Sequence, residues 1–334
     1  MTVKLKITEC NGGYESRYPQ ILKHVETQLE VNYWTANEAK VESDNLELKY
    51  TISEKARNSI KMMLPMFLRY ELNVSEFWTE VYPKFFKAPE CLDAAAAINM
   101  IERCVHARFY DKVNKVYGLD NDKSYLSYAD DPVFKARAKW IGDLLKSDDL
   151  KLVCLTFGLI EAAGLFSLFA LLRSFQANGH NEIPVVVKGT KQSAVDERLH
   201  SMVLSDSFKI YYNELGMTIN EDVEYLNILN EAAQVMYGHE EHIIDSLIPD
   251  GEDGYNGITR FEYKTFIKRR IDEYFERLGV VITPFGVKES KLDELFDIQN
   301  EAYSETDFFY GGVTKEYEVS WHKDDLGKCW EVGK

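Results

Sequence analysis

Two stretches of the chain pair a carboxylate with an imidazole at helical spacing. In "AVDERLH", Glu197 and His200 are three residues apart, and in "IERCVHARFY", Glu102 and His106 are four apart. On a helix either spacing brings both side chains to one face, where they can hold a single cation. One such pair means little, because acidic residues and histidines meet by chance on many solvated helices. Glu161 changes the reading. It stands near the centre of "LTFGLIEAAGLFSLFALL", residues 155–172, a long apolar run. A carboxylate buried alone there costs several kcal/mol or more, so it must be neutralised, paired or bound to a metal. Glu71 in "FLRYELNV" adds a fourth acidic group on another helical stretch. Four helices each offering an inward carboxylate, two of them adding a histidine, describe a di-metal carboxylate site in a ferritin-like bundle. Oxygen and imidazole ligands together suit iron or manganese better than zinc alone.

The elements that would position these groups are almost all helical. A capping-box pattern at Thr51 and Glu54 opens a helix through "KARNSIKMMLPMFLRYEL", with a kink expected at Pro65. Pro89 starts a second, which carries Glu102 and His106 and closes at Gly118. Asp131 and Pro132 start a third that reaches Leu145, and the apolar helix with Glu161 follows from about Leu150 to Ala177. Its length would cross a bilayer, but Lys151 and Arg173 bracket the run closely, so it reads as a central helix buried on all sides. Residues 190–215 form the next helix, stopped by Gly216. Asn220 caps another, 249–257 is a plain loop, and a last helix over 259–278 ends at Gly279. Strand-like alternation is confined to "IPVVVKG" at 183–189. The pattern predicts an all-α fold, one ferritin-like bundle domain over residues 1–290. A polar, aromatic-dotted tail follows over 291–334, too poor in aliphatic residues to build a core.

The order Glu71, Glu102, His106, Tyr110, Glu161, Glu197, His200 resembles the small, radical-bearing subunit of class I ribonucleotide reductase. "VHARFY" is similar to that family's segment from a metal-binding histidine to the radical tyrosine, which implies Tyr110 as the radical site. "VDERLH" resembles its later metal-binding segment and implies Asp196 in the electron relay. "VNYWTANE" implies Trp34 as the relay tryptophan, and "VTKEYEVSW" implies Tyr317, in preference to Tyr310, as the interface tyrosine. The implied metal ligands are Glu71, Glu102, His106, Glu161, Glu197 and His200, holding two ions per chain, iron or manganese, with di-iron favoured. Two departures stand out. Glu71 replaces the family's more common aspartate, and the first glutamate and histidine are four apart where the family has three. The position three before His106 is Arg103, and a guanidinium cannot ligate a cation. Either Glu102 is the ligand, with the extra residue absorbed in a π-type bulge, or the site is altered. The 31-residue spacing from Glu71 to Glu102 favours the bulge.

The resemblance implies a subunit that binds no nucleotide itself. It generates an oxidant, stores it on Tyr110, and passes it to a large catalytic subunit that reduces ribonucleotides to deoxyribonucleotides. The tail would dock on that partner, and the small subunit would be a homodimer. Leu165 and Phe169, spaced helically after Glu161, would line a dry radical pocket. The alternative is a stand-alone di-metal oxidase or oxygenase of the same fold, which needs neither relay residues nor docking tail. Iron storage fits poorly with a 334-residue chain. A net charge of −16 argues against nucleic acid or an anionic membrane as partner. "MTVKLKITEC" lacks a signal-like apolar core, so a cytoplasmic protein is expected. The five cysteines are scattered, with Cys104 and Cys154 expected to pack in the helical core. "YGHEEHIID", with His239 and His242, is rejected as a second metal site because no partnering ligands accompany it.

Overall fold

Local chemistry starts and stops each helix of the structure, a computed structural model that describes residues 5–10, 12–121, 123, 124, 130–293 and 296. A proline opens α1 (Pro19–Glu26), where its missing N–H is no loss. A π turn, Thr27–Val31, continues it. A 3₁₀ turn, Val41–Asp44, leads into α2 (Asn45–Tyr50). The long α3 (Glu54–Glu80) is capped by Ser53, whose hydroxyl accepts the Ala56 N–H at 3.2 Å; the cap falls here and not at Thr51. The helix continues through Pro65. After the short α4 (Tyr82–Phe85) come α5 (Pro89–Ile101), a π turn over Glu102–His106, and α6 (Ala107–Val116). Asp131 caps α7 (Pro132–Leu145) by accepting the Val133 and Phe134 N–H groups.

The apolar run is two helices, α8 (Leu150–Ala163) and α9 (Phe166–Ser174), and not the single rod expected to Ala177. Leu165 adopts a left-handed conformation, φ 71°, which breaks the ladder. The break is held from outside. Gly164 lies so close to the Tyr70 hydroxyl and the Ile160 carbonyl that no Cβ would fit. The Ser167 N–H and hydroxyl, in the first turn of α9, donate to Glu240, and Glu240 pairs with Arg137. Ninety-four per cent of the most apolar window in Leu150–Ser174 is buried inside the protein, which accounts for its hydropathy without lipid.

The candidate strand at 183–189 is the first turn and a half of α10 (Pro184–Leu215). β-branched residues fit a strand only where another strand offers pairing, and none does here among the described residues. Instead Glu47 and Asp44 accept the N–H groups of Ile183 and Val186 at 2.8 Å each, capping a helix N-terminus. Asn220 belongs to a 3₁₀ turn, Ile219–Glu221, closed by a Thr218–Glu221 capping box; α11 (Val223–Leu247) begins after Asp222 and not at Asn220. The stretch read as a plain loop, 249–257, holds the first strand and the turn of a two-stranded antiparallel hairpin, Gly254–Tyr255 with Ile258–Thr259. Its Asn256–Gly257 turn has both residues at positive φ, the conformation that twists with the strands. Finally α12 (Arg260–Leu278) has a capping box at Thr259 and Glu262 and ends at Gly279.

α8 lies among α4, α10, α11 and α12, while α3 packs on α5 and α6. The carboxylate-bearing helices therefore converge. Residues up to Ser290 form one compact unit, and Lys291–Lys334 form a second, described only at 291–293 and 296.

Candidate metal centre

Four helical segments deliver the predicted ligands to one buried place. α3 brings Glu71, the π turn brings Glu102 and His106, α8 brings Glu161, and α10 brings Glu197 and His200. Their ligand atoms fall into two overlapping groups: Glu71, Glu102, His106 and Glu197, then Glu102, Glu161, Glu197 and His200. Within each group the atoms lie no more than 4.8 Å apart. Glu102 and Glu197 belong to both, so they stand between two cation positions. The π turn accounts for the four-residue spacing. It absorbs one extra residue, turning Glu102 and His106 both inward while Arg103 and Cys104 face solvent. Cys104 is thus not a core residue, whereas Cys154 is fully buried.

The donor geometry fits metals better than it fits hydrogen bonding among the groups themselves. His106 Nδ1 makes one long hydrogen bond, 3.3 Å with Glu71 Oε2, and stands 3.4 Å from both Glu102 Oε2 and Glu197 Oε1. His200 Nδ1 is 2.8 Å from Glu102 Oε1, yet neither atom has the alignment of a hydrogen bond. Glu71 Oε1, Glu102 Oε2 and Glu161 Oε2 are likewise buried without a hydrogen-bond partner. Orphaned acceptors facing a common centre are costly unless a cation sits among them. Four glutamates balance the charge of two divalent ions, and oxygen with imidazole suits iron or manganese. The residues present therefore fit a pair of metals.

Without metal the same groups must share protons. Burial, then the neighbouring Glu102 charge, pushes the Glu71 carboxyl well above its usual range. Burial, then Glu197, does the same to Glu161. Burial would also raise Glu102 and Glu197, but the His106 charge beside Glu102, and the Glu161, His106 and His200 groups beside Glu197, outweigh it and hold both low. Both histidines resist burial and are held well above their ordinary value, His106 by Glu102 and Glu71 and His200 by Glu102, Glu161 and Glu197.

Behind the centre each imidazole is oriented through its other nitrogen. His106 Nε2 lies 2.9 Å from Asp196 Oδ2, which also accepts the Trp34 indole N–H at 2.9 Å. His200 Nε2 lies 3.2 Å from Gln28 Oε1, and the Gln28 amide donates to Asp196 Oδ1 at 2.9 Å. Gln28 was not anticipated from the sequence. It enters from the π turn after α1, and no spacing in the sequence ties that turn to α10. Trp78 was also missed; its indole donates to Glu161 Oε1 at 2.6 Å. It lies seven residues after Glu71 on α3, two turns along the same face, a spacing that was legible.

Tyr110 lies one turn past His106, fully buried and stacked on Phe67 at 4.4 Å with nearly parallel rings. Among the described residues its hydroxyl has no aligned hydrogen bond, although Ser193 stands beside it; burial followed by the Glu71 charge pushes its ionisation well up. Phe169 closes the pocket through Phe67, with centroids 5.3 Å apart. Leu165, in the helix break, does not continue the Glu161 face as expected. Tyr317 and Tyr310 lie outside the described residues. His242 is tied to Asp131 at 2.9 Å, beside the α7 cap.

The family model "Ribonucleotide reductase, small chain" matches residues 14–288. The small chain of ribonucleoside-diphosphate reductase from Acanthamoeba polyphaga mimivirus is 24% identical over 305 residues, 86% of this chain and 69% of the relative. Among solved structures, the ribonucleotide reductase R2 subunit from Clostridium botulinum superposes with a TM-score of 0.70 at 15% identity. That match covers 84% of this chain and 89% of that one. The Rnr4 homodimer from Saccharomyces cerevisiae gives 0.65 at 14%, covering 88% and 92%.

Proposed function

The chain belongs to the ribonucleotide reductase small-chain family, and from that premise we propose that it is the radical-generating subunit, its oxidant stored on Tyr110. The observation that carries this reading is the pair of overlapping ligand groups sharing Glu102 and Glu197, with Tyr110 one turn from His106. Glu71, Glu102, His106, Glu161, Glu197 and His200 would hold a pair of iron or manganese ions, which, with oxygen or a reduced oxygen species, would supply the oxidising equivalent; Asp196 and Gln28 fix the planes of the two imidazoles.

Tyr110 would give up its electron and its phenolic proton together to the oxidant formed at that centre. Its pocket suits storage of the resulting radical. Phe67 covers the ring face, Phe109 packs edge-on at 5.0 Å, and among the described residues the hydroxyl has no aligned hydrogen bond, Ser193 being the polar side chain beside it. The unbroken link His106–Asp196–Trp34 is the route by which the equivalent leaves. Trp34 is only 2% exposed, so it must hand over to a further group, for which Tyr317 in the tail is our choice. The acceptor is a large catalytic subunit on which the tail docks, and the working small subunit is a homodimer.

Anaerobic loading with iron(II) or manganese(II), followed by removal of loosely held ions, tests the reading. Two metals per chain are expected. Admission of oxygen to the iron form should then give a tyrosyl signal in electron paramagnetic resonance that is lost in Tyr110→Phe. One metal or none overturns the two-metal site, and a signal that survives Tyr110→Phe moves the radical elsewhere.

A further inference from the structure

Each histidine of the centre has a tryptophan beside it. Trp34 lies 5.8 Å from His106, centre to centre, and Trp78 lies 6.1 Å from His200. Trp34 is taken up by the relay; Trp78 has no place in it. Trp78 is fully buried and bonded to Glu161, and it begins a file of aromatic rings that leads away from the metals. Tyr82 follows at 4.7 Å, Phe86 at 5.1 Å, Phe208 at 5.2 Å and Tyr212 at 6.3 Å. Tyr212 touches Tyr211 at 5.4 Å, where the file reaches the half-exposed rim. The Lys151 ammonium lies over Tyr225, Tyr212 and Tyr211 at 3.9, 5.1 and 5.6 Å.

A packed core would account for the rings and for bonded polar ends alike; what sets this file apart is that it starts on a carboxylate of the metal centre and ends at the rim. Tryptophan and tyrosine are the side chains from which a strong one-electron oxidant draws electrons, and each needs a partner for its N–H or O–H when oxidised. Here the redox-active ends of the file have one. The Trp78 N–H meets a carboxylate, and the Tyr212 hydroxyl donates to Asp222 at 3.1 Å. Tyr82 shares a 2.8 Å hydrogen bond with Ser207.

We propose that Trp78, Tyr82 and Tyr212 form a second electron route into the metal centre, separate from Trp34, that reduces the oxidant when Tyr110 has not consumed it. The proposal rests on the radical-generating reading above. Trp78 loses one electron to the oxidised centre and keeps its proton in the bond to Glu161, whose negative charge stabilises the cation radical. Tyr212 refills Trp78 through the intervening rings and passes its phenolic proton to Asp222. A small one-electron reductant of the ascorbate type at the rim then refills the buried Tyr212 through the half-exposed Tyr211, and the proton returns from Asp222. The sum is one electron from the reductant to the centre, with no net proton moved.

The test uses the full chain carrying Tyr110→Phe, loaded with iron(II), counted for metal, mixed with oxygen and freeze-quenched. Ring-deuterated tryptophan or tyrosine distinguishes the radicals by resonance line width, and peptide mapping locates oxidised side chains. A tryptophan radical giving way to a tyrosine radical is expected, with oxidation at Trp78 and Tyr212. Adding Trp78→Phe should lower Tyr212 oxidation roughly tenfold. Because that change also removes a bond to Glu161, Tyr212→Phe serves as the second variant. It leaves the ligands untouched and should lengthen the life of the Trp78 radical by a similar factor. Two metals bound, Trp34 oxidised and Trp78 untouched would overturn the route while leaving the radical-generating reading standing. Failure to bind metal, with neither tryptophan oxidised, would overturn both.

Discussion

At the scale of single residues, the centre turns on which side chain of "IERCVH" faces inward. Glu102 is fully buried between the two histidines while Arg103 is exposed. Glu102→Ala should therefore reduce bound metal below two per chain, whereas Arg103→Ala should leave metal content unchanged and shift stability by no more than about 0.5 kcal/mol. Metal analysis and thermal melts of the two variants separate these outcomes. Proton competition gives a second expectation. In the metal-free chain Glu71, Glu161, His106 and His200 all have raised pKa values and so hold protons that a cation must displace. Metal affinity should rise with pH, and loading in weak buffer should release acid, measurable by titration calorimetry in buffers of different ionisation enthalpy. Affinity independent of pH would contradict the assignment. Residue types and spacing made this site legible, because a carboxylate in an apolar helix has few physical excuses. Gln28 was not legible, since a lone glutamine near the N-terminus gives no hint of which helix it will meet.

At the scale of elements, two irregularities shape the site: the π turn at Glu102–His106 and the break at Leu165. The break depends on Glu240, fully buried, which receives both the Ser167 groups and Arg137. Glu240→Ala strands the Arg137 guanidinium in the interior and should cost about 3–5 kcal/mol, read from denaturant unfolding of the metal-free chain. Close approach matters equally at Gly189 on α10, where a Cβ would come within 2.2 Å of the Phe109 ring. Phe109 packs edge-on against both Trp34 and Tyr110. Gly189→Ala should cost about 1–3 kcal/mol by displacing that ring and should shorten the life of the tyrosyl radical, followed by its resonance signal over time. Helix starts were legible where a cap is local, as at Asp131 and Thr259. The strand reading of 183–189 went wrong because its resolution was distant: Asp44 and Glu47 cap that segment from 142 and 136 positions away, and no local propensity encodes them.

For the molecule as a whole, the bundle and its tail divide the proposed labour. A chain ending at Ser290 should retain two metals and the Tyr110 radical yet lose nucleotide reduction when mixed with a large subunit, and a peptide of residues 291–334 should inhibit the intact pair. Undiminished turnover by the shortened chain would remove the docking role. By itself the sequence determined the all-helical architecture and the four acidic helices, and put forward six candidate ligands, because hydrophobic period and the cost of a buried charge are local properties that composition and spacing carry. Only the tertiary structure decided that Glu102 and Glu197 belong to both ligand groups, that Gln28 and Trp78 meet His200 and Glu161 of the second group, and that the apolar rod is broken at Leu165. Those outcomes depend on contacts between helices far apart in the chain, where packing, rather than the preference of any one segment, selects the conformation.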